Sequence, residues 1–193
     1  MLIDVLFICI TYLIGSLSSA IIVCKLWGLP DPRQKGSNNP GATNVLRIGG
    51  KIPALITLLG DGCKGFLPTL LAVKLLLPTS VIGAVMLAAL LGHILPIFFK
   101  FQGGKGVATA MGAFLGLAWQ VGGLLIAIWA LIIAITRLSS LGAIVATLFA
   151  PLVAWVFLQD YNLTVAISVM SLILLIRHKD NIIRLCNGKE SKI

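Results

Sequence analysis

Two short stretches gather residue types suited to holding anions. The first, KGSNNPGATNVLRIGG (35–50), sets Gly36, Pro40, Gly41, Gly49 and Gly50 among Ser37, Asn38, Asn39, Thr43 and Asn44. Lys35, Arg47 and the adjoining Lys51 add positive charge. Glycines let successive backbone N–H groups converge on one point, the concave arrangement that binds anions, and the hydroxyls and amides add neutral donors. The second stretch, FQGGKGVATAMG (101–112), places Gly103, Gly104 and Gly106 around Lys105, ahead of a predicted helix start at Val107. A glycine loop carrying a lysine at a helix N-terminus is a phosphate-binding arrangement. It is not a Walker A motif, because GxxxxGK[ST] is absent. Either stretch alone also fits a turn at a membrane surface; two of them in one small chain point to phosphate.

Two further polar stretches extend the set. TRLSSLG (136–142) contributes Arg137, Ser139 and Ser140, and IRHKDNIIRL (176–185) contributes Arg177, His178, Asn181 and Arg184. On a continuous helix His178 and Asn181, three apart, share a face with Arg184. The same segment also reads as a basic juxtamembrane helix on anionic lipid, above all at Lys179, Lys189 and Lys192. Asp61 and Lys64 form an i, i+3 pair inside an apolar run, either as a structural ion pair or as contacts for a polar ligand. His93, in LLGHILPIFF, is an intramembrane ionisable group and so either a functional residue or a helix-packing hydrogen bond. On the same side of the chain only Asp31, Asp61, Asp180 and Glu190 are acidic, which argues against a two-metal phosphotransferase. The expected site is metal-free, needs no cofactor, and is basic. The four cysteines are far apart and show no CxxC spacing, so they read as buried small residues rather than a disulfide or zinc framework.

These residues must be positioned by membrane helices. The 193 residues are 59% hydrophobic and 11% charged, outside the usual range of soluble domains, and apolar runs alternate with short basic stretches. The net charge of +9 is spread over these connectors with no basic stripe and interleaved aromatics, so it reads as the positive-inside rule rather than nucleic-acid binding. The first apolar run, lacking a basic leader and too long for a signal-peptide core, is expected to be a retained span. One domain, 1–193, is expected: an all-α integral membrane protein with seven transmembrane helices. With the basic islands (25–52, 99–106, 137–140, 177–193) all cytoplasmic, the spans are 2–24, 53–76, 80–98, two within 107–136 turning near WQVGG, 141–158 and 163–176. The N-terminus and Lys74 then lie outside and the C-terminus inside. Spans 4 to 7 come out at roughly 21 to 27 Å against a hydrocarbon core of about 30 Å, so a re-entrant path for 107–136 competes with two full crossings. Small residues (Gly15, Ser16, Ser18, Ser19, Ala20; Gly112, Ala113, Gly116) recur at spacings that permit close helix contact.

In order and over nearly the whole chain, GSNNPGATNVLRIGG, DGCKG, FQGGKGVATAMG, LSSLGAI and RHKDNIIRLCNG resemble the bacterial membrane acyl-phosphate:glycerol-3-phosphate acyltransferases, the PlsY family. The resemblance implies a seven-helix protein of the inner membrane with a cytoplasmic active site. The implied reaction is attack of glycerol 3-phosphate on a fatty acyl phosphate, giving 1-acyl-glycerol 3-phosphate and phosphate in the first acylation of phospholipid synthesis. Asn38 stands where the family usually has glycine; if that position needs positive φ, Asn is the least costly substitute. The 137–140 segment matches only loosely. HxxxxD is absent, since Phe98 and Ile183 stand five residues after the two histidines, and so is a GxSxG elbow, so no acyl-enzyme is expected. On this reading Lys105, Arg47, Ser37 and the 103–106 amides hold phosphate, with Gly36, Thr43, Asn44 and Ser140 completing the binding set. His178 and Asn181 orient the attacking hydroxyl, and the proton goes to His178 or to the donor's own phosphate. Membrane lipids surround a chain expected to be monomeric. An anion transporter is the competing class, resting on Asp61 and Lys64 alone; a non-catalytic lipid-binding protein leaves the two glycine-lysine loops unexplained.

Overall fold

The computed structural model describes residues 2–193, and among them all regular structure is helical. The order is α1 (Leu2–Gly15), α2 (Ser19–Leu26), α3 (Ala42–Gly49), α4 (Lys51–Lys74), α5 (Thr79–Ile94), a single 3₁₀ turn (Ile97–Phe99), α6 (Val107–Leu117), α7 (Trp119–Thr136), α8 (Ser139–Leu158), α9 (Tyr161–Arg177) and α10 (Lys179–Cys186). The helix start expected at Val107 is where α6 begins, and the turn expected near WQVGG is the Ala118 break between α6 and α7.

The span boundaries differ in instructive ways. The first span is not one rod: it breaks at 16–18, where Ser16 Oγ donates back to the Tyr12 carbonyl (2.9 Å). The third ends as an α-helix at Ile94, because Pro96 cannot continue it, and the rest is the 3₁₀ turn. By length and apolarity five helical segments among the described residues suffice to cross a membrane, or six when α9 and α10, bent by 59°, count as one. The element standing for span 4 is α6, whose eleven residues make only about 16 Å.

Within the apolar helices, hydroxyls fold back onto their own turns. Thr11 donates to the Phe7 carbonyl (2.8 Å), Thr57 to Pro53 (2.8 Å) and Thr69 to Gly65 (2.8 Å). These three buried hydroxyls are thereby satisfied without leaving their own helices, whereas Thr147 Oγ1 on α8 and Ser171 Oγ on α9 have no partner among the described residues. The main core joins α5, α6, α7, α8 and α9 through Met86, Leu90, Phe114, Leu125, Val153, Ile167, Met170 and Leu174. A second small cluster, Ala20, Cys24, Val45 and Ala54, seats the amphipathic α3 on α2 and α4.

The closest crossing is α4 on α6. A Cβ at Gly65 would strike the Thr109 carbonyl, one at Gly112 the Gly62 carbonyl, and one at Gly116 would sit 2.5 Å from the Phe66 carbonyl. The helices touch backbone to backbone, as small residues at i, i+4 permit. Gly15 and Gly92 do the same between α1 and α5, facing the carbonyls of Ala89 and Tyr12. Gly112→Val must therefore force α4 and α6 apart. It is expected to cost about 1–3 kcal/mol and to lower the thermal midpoint in detergent. Gly123→Ala on α7, where a Cβ meets open space, should leave the midpoint unchanged or raise it.

Candidate active site

The four polar stretches converge on one cavity of about 660 Å³. Its first wall is the 35–41 loop and the start of α3. This loop is tied by Asn44, whose Nδ2 donates to the carbonyls of Pro32 and Lys35 (both 2.9 Å) while its Oδ1 accepts from the Ser37 N–H (2.9 Å). Gly36 holds φ +68° in that turn, and a Cβ there would meet Asn44 Oδ1. Asn38 adopts φ 55°, the positive angle its sequence position suggested. The loop presents Ser37 and α3 presents Thr43 and Arg47 to the cavity, and Thr43 Oγ1 meets Ser139 Oγ at 3.1 Å, joining α3 to α8.

The second wall is the 103–106 loop. A Cβ at Gly103 would collide with the His93 carbonyl, and one at Gly104 with His93 Nε2 and, at 2.8 Å, the Pro40 carbonyl. Gly103 must therefore be glycine for the loop to pack on the end of α5, and Gly104 for it also to touch the other glycine loop. Arg177 donates through Nη2 to the Gly103 and Gly104 carbonyls (3.3 and 3.2 Å), which holds the loop from the far side. Gly106, at φ +94°, caps α6, so the positive end of the α6 dipole, with Val107 and Ala108, faces the cavity beside Lys105.

The third wall is the break between α9 and α10. His178, Asn181 and Arg184 do not share a continuous helix: His178 is the hinge itself, ending α9 and starting α10, and the 59° bend brings all three onto the cavity. His178 Nδ1 donates to the Leu174 carbonyl (2.8 Å), so the neutral ring leaves Nε2 as a bare acceptor. Lys105 Nζ donates to Asn181 Oδ1. The chain's last residues fold back over this wall. Glu190 accepts from Ser140 Oγ (2.6 Å), Asn181 Nδ2 (2.6 Å) and Arg184 Nε (2.7 Å); Arg47 donates to the Ser191 carbonyl (3.1 Å) and Ile193 N–H to the Arg137 carbonyl (3.0 Å).

Burial sets the charges. Desolvation lowers Lys105 to about 8, with Glu190 opposing the shift and Arg184 and Arg177 adding to it. His178 is lowered to about 4, again chiefly by burial; its bond to the Leu174 carbonyl opposes this and the Lys105 charge reinforces it. Burial pushes Glu190 upward, but the bonds from Ser140, Arg184 and Asn181 outweigh it and hold the carboxyl below its ordinary range. At neutral pH the polar walls therefore carry a charged Lys105, the Glu190 carboxylate and a neutral His178 imidazole, beside the Arg47 and Arg184 guanidiniums.

Away from these polar walls the same cavity continues as an apolar trough between Leu58 and Phe66 of α4, Met111 and Leu115 of α6, and Ile126 and Trp129 of α7. Asp61 and His93 line the passage. Lys64 does not: its Nζ is turned to Asp61 Oδ1 (3.0 Å) and the Leu17 carbonyl (2.9 Å), a structural pair. Gly36, Gly103 and Gly104 also stay behind the lining, where they shape it. Asn44 lines the cavity with its amide already committed to the loop, so it supports the wall instead of presenting a free donor. Glu190 was missed as a member of the site, whereas Arg177, expected there beside His178, stays behind the lining and holds the glycine loop. Glu190 had one signal, an isolated acid in a basic tail.

The site can be set beside known proteins. The family model described as Glycerol-3-phosphate acyltransferase matches residues 5–188. The glycerol-3-phosphate acyltransferase of Methylococcus capsulatus is 50% identical over 94% of this chain and 92% of its own, and that of Glaesserella parasuis 53% identical over 94% and 88%. The crystal structure of PlsY (YgiH), an integral membrane glycerol 3-phosphate acyltransferase, in its glycerol 3-phosphate form superposes with a TM-score of 0.94 at 36% identity, covering 98% of this chain and 95% of that one. Its lysophosphatidic acid form gives 0.92 at 35% identity, with the same coverage. With near-complete coverage in sequence and in structure, this integral membrane chain belongs to the glycerol-3-phosphate acyltransferase family.

Proposed function

We propose that this chain transfers the acyl group of a fatty acyl phosphate to a hydroxyl of sn-glycerol 3-phosphate, giving 1-acyl-glycerol 3-phosphate and inorganic phosphate without a metal or an acyl-enzyme. One observation carries the reading: a single cavity joins a cationic end, with two glycine loops and a helix N-terminus, to an apolar trough between helices. A donor with a phosphate head and a hydrocarbon tail matches both ends. The proposed setting is the cytoplasmic face of the inner membrane, in a monomer whose seven apolar segments cross with the N-terminus outside, α6 and α7 forming the fourth and fifth crossings.

The donor is a mixed anhydride, already activated, so positioning and charge neutralisation carry most of the catalysis. Lys105, Arg47, Ser37 and the α6 N-terminus hold phosphate groups. His178 Nε2 and Asn181 orient the acceptor hydroxyl. Its oxygen bonds to the acyl carbon, the carbon–oxygen bond to phosphate breaks, and phosphate leaves with that electron pair. The proton's destination follows from basicity. As the carbon–oxygen bond breaks, the departing phosphate gains charge and basicity, while burial lowers His178 to about 4. The donor's own phosphate takes the proton, and His178 accepts a hydrogen bond without storing charge.

The direct test measures phosphate release from palmitoyl phosphate with and without glycerol 3-phosphate, in EDTA. Release that requires both substrates and matches lysophosphatidic acid formed is expected; none from folded protein overturns the reading. Lys105→Ala should lower kcat/KM by about 10²-fold or more, as loss of a desolvated charged donor does. In the parent, kcat/KM should fall as pH rises through about 8, where Lys105 loses its proton, and not near its unperturbed 10.5. A bound anion raises that pKa, so the kcat limb should lie higher. Lys105→Arg should abolish the limb below pH 9. His178→Gln should lower kcat yet leave the profile's shape unchanged between pH 5.5 and 8; an acid limb lost in this variant would make His178 the base.

A further inference from the structure

The chain has two histidines, and both are held the same way. His178 spends Nδ1 on the Leu174 carbonyl. His93, only 6% exposed, has Nδ1 at 3.2 Å from Thr109 Oγ1. That hydroxyl already donates to the Asp61 carbonyl (2.9 Å), so toward His93 it can only accept, and His93 Nδ1 must carry the proton. Asp61 Oδ1 lies behind the same nitrogen at 3.7 Å. Its charge is matched by the Lys64 ammonium at 3.0 Å, so the ring need not be cationic to balance it. A neutral ring with Nδ1–H has a bare lone pair on Nε2. Among the described residues no group is hydrogen-bonded to either Nε2, and both rings line the cavity.

The two rings flank one loop. His93 Nε2 stands against Gly104 on one side, where a Cβ would strike it. On the other, Arg177 holds the Gly104 carbonyl and is followed directly by His178. Both rings line the cavity that Lys105 also lines, so a small molecule seated on Lys105 has two imidazole acceptors in the same cavity. Glycerol 3-phosphate has two hydroxyls, one that attacks and one that does not. Resting on the acyl-transfer reading, the geometry points to His93 as a substrate-contacting residue: its Nε2 accepts a hydrogen bond from the spectator hydroxyl while His178 takes the attacking one. Thr109 and Asp61 are the positioning residues that fix the tautomer. This assigns the choice between a three-carbon diol phosphate and a simple hydroxyalkyl phosphate to a ring buried in the membrane part of the protein.

The measurement compares glycerol 3-phosphate with 3-hydroxypropyl phosphate, which lacks only the spectator hydroxyl, as acceptors for palmitoyl phosphate. The parent enzyme should prefer glycerol 3-phosphate by about 10- to 100-fold in kcat/KM, the cost of leaving a buried acceptor unpaired. His93→Phe should bring that ratio to within about threefold of unity, losing rate on glycerol 3-phosphate and little on the deoxy substrate. A purely structural role lowers both rates together and preserves the ratio, which would overturn the inference. Thr109→Val, should His93→Phe not fold, unlocks the tautomer and must also shrink the ratio; an unchanged ratio counts against the assignment. A parent enzyme that turns over both acceptors equally well overturns it without any variant. No acyl transfer to either acceptor is the separate failure of the acyl-transfer reading itself.

Discussion

A lysine at the mouth of an apolar bundle is useful only if its loop cannot move, and in this protein that constraint falls on four residues, 103–106. The loop has no regular hydrogen-bonded structure of its own. It is held from three sides instead: by the His93 carbonyl and ring, by the Pro40 carbonyl of the other glycine loop, and by Arg177. Each of these neighbours belongs to a different element, so α5, the 35–41 loop and α9 are all fixed relative to one another by contact with the same few backbone atoms. Side chains at 103 or 104 would separate them. The glycines therefore act here through the space they leave, and only Gly106, at φ +94°, acts through its backbone angle.

The same contact explains how charge is kept in a low-dielectric place. Lys105, Arg47 and Arg184 would repel one another if gathered without compensation. Glu190 answers that with one carboxylate bonded to Ser140, Asn181 and Arg184, and Asn181 in turn accepts from Lys105. The result is a network in which the neutral residues carry the geometry and a single anion balances part of the charge. Deeper in the bundle, Asp61 and Lys64 repeat the principle as a buried pair beside His93, which offsets the cost of burying either alone.

What the sequence revealed and what it hid divide along one line: local backbone chemistry is readable, long-range closure is not. The helix start at Val107 follows from Gly106 and the break near Trp119 from the length of an apolar run, while the positive φ of Asn38 was signalled by the glycine that the family carries at that position. The small residues Gly15, Gly112 and Gly116 do sit at close crossings, because a 3.6-residue period is enough to mark a face. The α9–α10 bend was not readable. Nothing in RHKDN forbids a continuous helix, and the bend is sustained by contacts from elements about 70 residues away, such as Arg177 with the glycine loop. Glu190 escaped for the same reason: its partners Ser140, Asn181 and Arg184 become neighbours only when the tail folds back.

Helix α6 shows why the bundle tolerates so short an element. At about 16 Å it is roughly half the hydrocarbon thickness. An isolated helix of that length would leave terminal N–H groups in lipid, a costly position. Here the N-terminal end opens onto a polar cavity and the flank lies backbone to backbone on α4 through Gly62, Gly65, Gly112 and Gly116, so little of α6 faces lipid. Shortness then has a consequence for chemistry. Because α6 stops short, its positive end, Lys105 and the start of the Met111 and Leu115 trough lie within a few helical turns of one another. A head group bound at that end and a tail lying along the trough meet at about the first two turns of α6, and the proposed acyl carbonyl must sit at that junction, with His178 and Asn181 on the opposite wall. A full-length span could not offer this, since its N-terminus would lie at the membrane surface, a helix length away from any tail buried to the same depth.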